Sequence, residues 1–237
     1  MAIIGQGRVG IRSIAAPPAT PTIWNTLTHY YTGDNTPNDA KGTANGTLTN
    51  GATYGTGKIN NGLSFDGVND YVTLPSNSTN LGTSFTVSAW IYRTSSTALQ
   101  TIYSNIQNSP FDGFLFHISN DRLTVLIRNS GTASSISSVS TLAINTWYHV
   151  SVVVNSTNLC KGYVNNSEVF SFNPSVNVNY PTTTYPTIGA YKYGSTVGDV
   201  DLYFPGTIDE LSLFNSALST TQLTELYNSG NGKQYPN

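Results

Sequence analysis

The octapeptide FTVSAWIY, residues 85–92, alternates in the way an extended chain requires. Successive side chains of a strand point to opposite faces. Phe85, Val87, Ala89 and Ile91 therefore share one face, and Thr86, Ser88, Trp90 and Tyr92 share the other. The first face reads as core. The second carries two amphipathic aromatics, suited to lining a groove or packing on a loop. Outward from this stretch the texture repeats. Short apolar alternations broken by Gly, Asn, Pro and Ser predict strands over residues 62–65, 71–74, 101–103, 113–118 and 123–128. Further strands follow over 147–154, 159–164, 168–172, 187–189 and 206–214. Many short strands between turn signals predict an all-β sandwich.

Three local features sharpen this reading. In CKGYVNNSEVFSF, Asn165 and Asn166 tolerate the positive φ of a tight two-residue hairpin turn. In FDGVND, Asp66 and Asp70 flank a Gly-containing hairpin turn. LSTTQLTELYNSG predicts one short C-terminal helix: Ser219 caps it, Gln222 completes a capping box, and Gly230 ends it. Leu223, Leu226 and Tyr227 give that helix an apolar stripe, which should cover one end of the sandwich core.

The chain has 237 residues, with 38% apolar and 11% aromatic residues, enough for one β domain with a real core. Only 9% are charged, against about 25% in typical domains. A surface of hydroxyls and amides argues against a cytosolic metabolic enzyme and fits an extracellular, cell-surface or virion protein. The net charge is −2 and the basic residues are scattered, so nucleic acid is excluded as a partner. Cys160 is the single cysteine, excludes an internal disulfide and reads as a buried strand residue. No stretch approaches the roughly 18 apolar residues of a membrane span, so no membrane partner is expected. The first residues lack the apolar core of a signal peptide. An outer-surface composition beginning at its own Met1 without such a signal favours release by lysis, as for phage virion proteins.

Residues 1–22 read as an extended N-terminal arm, and residues 23–237 as the domain. Inside the arm, GQGRVG has the G-x-G-x-x-G spacing of a dinucleotide-binding turn. Its context fails: the preceding strand is too short, and Pro17 and Pro18 end any helix soon after it begins. The arm instead reads as an anchor to a larger assembly through Ile3, Ile4, Val9, Ile11 and Ile14, its partners being capsid or tail subunits.

Three longer stretches carry a resemblance: GLSFDGVNDYVTLP (62–75), NTWYHVSVVVNSTNLCKGYVNNSEVF (145–170) and FPGTIDELSLFNSALSTTQL (204–223). Together, in this order, they resemble the laminin-G-like domains of the concanavalin A-like lectin/glucanase superfamily. The resemblance runs from about Ile23 to Gly230. It implies a two-sheet antiparallel jelly-roll sandwich. It says little about function, because this fold hosts lectins, binding modules, adhesion domains, hydrolases and phage parts.

Catalysis is not expected. A retaining glycosidase needs two carboxylates about 5 Å apart. The three glutamates, Glu168, Glu210 and Glu225, match no such pattern, and Asp209 and Glu210, as neighbours on a strand, should point to opposite faces. His149, in WYHVSVVV, reads as a strand residue rather than a base. The resemblance implies one structural calcium ion between an early oxygen-rich loop and the Ile-Asp-Glu strand. By that resemblance Asp39 and Asp209 are its leading ligands, with Asp34, Asn38 and the Gly42 carbonyl behind them. The residues equally allow Asp39 to stabilise a turn and Asp209 to cap a loop. For glycans, the late loops offer Tyr180, Tyr185, Tyr191, Tyr193 and Tyr203 as an aromatic platform. The same rings could instead pack the loops onto the sheets.

Two functions of different kind follow. One is a non-catalytic decoration or structural protein on a virion surface, binding host-surface or mucosal glycans weakly through many copies. The alternative is a free-standing carbohydrate-binding module or adhesion domain of a bacterial surface protein.

Overall fold

Alternating apolar residues build two antiparallel sheets around one core. The computed structural model describes residues 23–75, 80–108, 111–181, 185–193 and 200–236. The expected arm, with Ile3, Ile4, Val9, Ile11 and Ile14, lies outside the described residues. A 3₁₀ turn over Ile23–Thr26 leads into β1 (Leu27–Tyr31), followed by β2 (Thr47–Thr49), β3 (Thr53–Thr56), β4 (Asn61–Asp66), β5 (Tyr71–Thr73) and β6 (Phe85–Arg93). Then come β7 (Leu99–Asn108), β8 (Phe111–Ser119), β9 (Arg122–Asn129), β10 (Thr132–Ser137), β11 (Trp147–Val154), β12 (Cys160–Val164) and β13 (Ser167–Phe172). The chain closes with β14 (Thr187–Ile188), β15 (Tyr191–Lys192), β16 (Val200–Asp201), β17 (Pro205–Phe214) and the helix α1 (Thr220–Tyr227).

The eight-stranded sheet runs β13-β12-β11-β6-β17-β4-β3, with β1 also paired to β17; the seven-stranded sheet runs β10-β9-β8-β7-β14-β5-β2. The strands β15 and β16 pair only with each other. Phe85, Val87, Ala89 and Ile91 all lie in the core between the sheets, with Val150, Val152, Ile208, Leu211 and Cys160 from neighbouring strands. The expected core face of β6 is thus the inner face of the eight-stranded sheet. Eleven strands stand where alternation places them, within a few residues at their ends. The short β1, β2, β3, β10, β15 and β16 lack enough alternation to be seen in sequence.

The outer face of the eight-stranded sheet is not simply solvated. A second apolar cluster covers it, made by Ile23, Trp24, Leu27, Tyr30, Val153, Tyr163, Phe214, Leu218, Leu223 and Leu226. Here α1 lies against the sheet, so it covers a sheet face rather than an end of the core. Its capping box is formed: Ser219 Oγ accepts from Gln222 N, and Gln222 Oε1 accepts from Ser219 N at 2.9 Å. The helix stops at Asn228, which takes the left-handed conformation (φ 47°), two residues before Gly230. Tyr235 packs edge-on against Trp24 and Tyr30, which brings the C-terminal tail against the start of the described chain.

Two turns follow different fates. Asn165 and Asn166 both have positive φ (48° and 67°), as the tight β12–β13 hairpin requires. The turn over residues 66–70 is not a hairpin, because β4 and β5 belong to different sheets. It is a crossing held by Asp66 Oδ1, which accepts from Val68 N, and Asp70 Oδ2, which accepts from Asp66 N.

The substitution Leu223→Ala should cost about 2–5 kcal/mol by opening a cavity under α1. Ser219→Ala should cost about 1 kcal/mol by removing the cap. Chemical denaturation measures both, and equal losses would contradict this division between packing and capping.

Candidate functional site

The covering cluster ends before the rim of the sheet. There the outer-facing residues of four adjacent strands come into register. Trp147 pairs with Tyr92, Tyr92 with Thr207, and Thr207 with Ser64. Together with Gly55, Thr56, Phe65, Thr94 and Gly206 they line a groove of about 470 Å³, within the usual size of ligand pockets. The Tyr92 and Trp147 rings lie 5.5 Å apart, tilted by 46°, and both are half-exposed. Gly206 has φ +136°, and a Cβ there would lie 2.0 Å from the Tyr92 carbonyl oxygen. Only glycine lets β17 approach β6 so closely at the groove. Among the described residues none accepts or donates a hydrogen bond to the side-chain hydroxyls of Ser64, Thr94 and Thr207. The groove thus offers two aromatic faces and uncommitted hydroxyls, and no lining residue is charged.

The tyrosines of the late loops divide. Tyr180 turns inward, packing on the core edge-on to Phe85, with burial raising its phenol well above the usual range. It is no platform residue, because the strand-free segment before it folds back onto the sheet. Tyr185 is exposed. Tyr191 and Tyr193 are half-exposed with ring centroids 5.6 Å apart, and half-exposed Tyr203 packs beside Tyr71 and donates to the Val200 carbonyl. Those three form a second, smaller aromatic surface at β15 and β16.

The expected calcium ligands fall into two groups, Asp39 in one and Asp209 with Asp34 in the other. Asp39 sits in a cradle of donors: Oδ1 accepts from the N–H groups of Tyr30, Lys41 and Gly42, and Oδ2 from Ala44 N. His29 Nδ1 lies 2.6 Å from Oδ2. Burial pushes the Asp39 carboxyl up, but the His29 bond and the Gly42 and Lys41 N–H groups outweigh it and hold it low. Gly42 therefore contributes its N–H here, and Asn38 is exposed. Asp209 lies elsewhere, accepting from Lys58 and Ile59 N at Oδ2 and from Glu210 N at Oδ1. Asp34 joins that second group: the Gln234 amide bridges it to Glu210. Among the described residues no three His, Cys, Asp or Glu stand so as to hold a metal ion. Cradles of N–H donors do not fit calcium, which takes six to eight oxygens.

The profile of a laminin G-type family, described as the concanavalin A-like lectin/glucanases superfamily, matches residues 66–224, more than half of the chain. The chain belongs to this superfamily. Solved structures agree on the fold. Domain 4 of an extracellular arabinanase from Geobacillus stearothermophilus, in complex with arabinotriose, is 20% identical with a TM-score of 0.68, over 84% of this chain and 97% of that one. The binding domain of Paraclostridial Mosquitocidal Protein 1 is 15% identical with a TM-score of 0.71, over 88% and 53%. A botulinum neurotoxin type C structure, whose cell entry depends on two ganglioside molecules, is 19% identical with a TM-score of 0.67, over 87% and 52%. The chain thus spans about half the length of the two toxin chains. No curated protein matches the sequence.

Within this laminin G-like domain, one expectation about the carboxylates needs correction. Opposite Trp90 and Ser88 of β6 stand Asp209 and Ser212, so β17 carries one residue too many. Glu210 takes φ +53° in that bulge. Ile208 and Leu211 both face the core, so Asp209 and Glu210 both turn outward rather than to opposite faces. They are 0% and 4% exposed, which shuts substrate out. Burial pushes Asp209 up to about 7 and Glu210 up to about 8. Glu168 and Glu225 are paired with Lys161 and Lys233.

His149 is a strand residue buried under α1: its Nε2 lies 2.8 Å from Ser88 Oγ, and its ring packs beside Trp90 and Tyr227. Burial pushes His149 down to about 3 and His117 down to about 4. Both fold neutral, so their contribution is complete above their unfolded value of about 6.5 and is lost as pH falls from there toward 4 and 3. Each histidine should cost roughly 1.4 kcal/mol per pH unit in that window. Denaturation of wild type and His149→Gln across pH 6.5 to 4 reads the difference in slope, since Asp209 and Glu210 act in the opposite sense in both proteins. A variant slope equal to wild type would contradict the buried neutral histidine. Calcium and EDTA should both leave the thermal midpoint unchanged; a calcium-dependent rise would show carbonyl oxygens replacing the N–H donors around Asp209.

Proposed function

We propose that the domain is a non-catalytic glycan-binding module and that the groove beside Tyr92 and Trp147 is its binding site. The observation that carries this is a half-exposed aromatic pair standing beside hydroxyls that no described residue engages, on one sheet face. Sugar rings present C–H faces to aromatics and hydroxyls to polar groups, and this lining answers both. Support comes from the arabinotriose complex of one structural neighbour. The Tyr191–Tyr193–Tyr203 surface is the second reading, favoured by its half-exposed rings.

An aromatic contact contributes roughly 0.5–1.5 kcal/mol beyond its burial, so binding by one domain is weak. The setting we propose is display in many copies on a larger assembly, a phage particle or a bacterial surface, where avidity raises weak affinity. Its support is the hydroxyl- and amide-rich composition with only 9% charged residues. Attachment through residues 1–22 stays an expectation from the sequence.

Glycan-array screening followed by titration calorimetry tests the site. Trp147→Ala should weaken binding about tenfold or more, worth 1.4 kcal/mol, while Tyr191→Ala leaves it unchanged. The reverse pattern would move the site to the late loops, and an array with no bound glycan would overturn the function.

A further inference from the structure

We infer that the groove takes uncharged oligosaccharides and discriminates against sialylated, uronate-containing and sulfated ones; this rests on the glycan-binding reading above. Binding an anionic sugar means stripping water from a carboxylate or sulfate, which is costly unless a cation or several N–H donors replace it. The groove supplies no cation, and its one side-chain N–H donor is the Trp147 indole. None of its lining residues carries a charge. The nearby cations are committed elsewhere. Arg93 stands between Tyr92 and Thr94 in sequence but is 1% exposed, bonded to Gln100, Asp121 and the Leu142 carbonyl. Lys58 lies with its Nζ 4.7 Å over the Trp90 ring, one row away from the groove. The adjoining exposed acid adds a repulsive field: Asp66 pairs with Pro205 beside the groove. An anion here would meet that acid and no cation in the lining. A neutral sugar meets hydroxyls of its own kind, each able to donate and accept.

The test is titration calorimetry of the full chain with two sets of oligosaccharides. The neutral set is arabinotriose, galactotriose, mannotriose and xylotriose; the acidic set is 3′-sialyllactose, trigalacturonate and a heparin tetrasaccharide. Wild type, Trp147→Ala and Thr94→Lys are compared at low and high salt. Thr94 is exposed, so its lysine variant should fold and place a cation at the rim. The expected result is at least about a tenfold preference for one or more neutral ligands, insensitive to salt and lost in Trp147→Ala, with Thr94→Lys gaining affinity for the acidic set. Acidic ligands bound by wild type, weakened by salt and lost in Trp147→Ala, would overturn the neutral selectivity while keeping the site. Binding of either set that survives Trp147→Ala, or no binding at all, would overturn the glycan site itself.

Discussion

One extra residue in β17 sets the rest of the outer surface. This strand is buried along its whole length and holds the middle of the eight-stranded sheet. Along one edge it pairs with β6 throughout; along the other it pairs first with β4, over Pro205–Ile208, and then with β1, over Leu211–Phe214. The bulge at Glu210 falls where one partner gives way to the next. Bulges bend a strand and increase its twist. Here the bulge keeps Ile208 and Leu211 in the core while turning two acids outward. It divides the outer face into a half covered by α1, β1 and the C-terminal tail and a half left open around Tyr92 and Trp147.

That division explains why one sheet face carries both a second apolar cluster and a polar groove. On the covered half, Phe214 and Val153 bury against Leu223, Leu226, Trp24 and Leu27. Several polar residues trapped there find partners: Thr86 Oγ1 donates to the Ser216 carbonyl and accepts from Leu218 N, and Ser88 joins Ser151 and His149. Glu210 Oε2, buried beside the bulge, has none among the described residues. Trp90 marks the boundary, stacked on Tyr227 at 5.8 Å and covered by Lys58. One row further, Tyr92 and Trp147 have no such cover. Function on this fold follows from what a face leaves uncovered, and the open rings and hydroxyls are the chemistry available.

Much of the inner architecture was legible because it depends on period alone. The alternation of residues 85–92 fixed which side of β6 is core, Ser219 and Gln222 announced the helix, and the Asn165–Asn166 pair announced its turn. The outer face was legible only in part. That Trp90 and Tyr92 either line a groove or pack on a loop follows from their shared phase; that Trp90 does the second and Tyr92 the first depends on where α1 lands. The groove needs Ser64, Tyr92, Trp147 and Thr207, which are scattered over 144 positions and meet only through strand register. The outward phase of each was the available signal. The bulge was hidden because Glu210 is not a residue that announces positive φ. Tyr180 was open between platform and packing, because its polar loop carries no period to orient the ring; it packs on the core.

The most direct measurement is an NMR titration of the ¹⁵N-labelled chain with a neutral oligosaccharide, following the indole N–H signals of its three tryptophans. Trp24 and Trp90 are 7% and 3% exposed, while Trp147 stands half-exposed in the groove. The account predicts that the sugar shifts the Trp147 indole and leaves the other two in place. A bound sugar that leaves the Trp147 indole unmoved would contradict it.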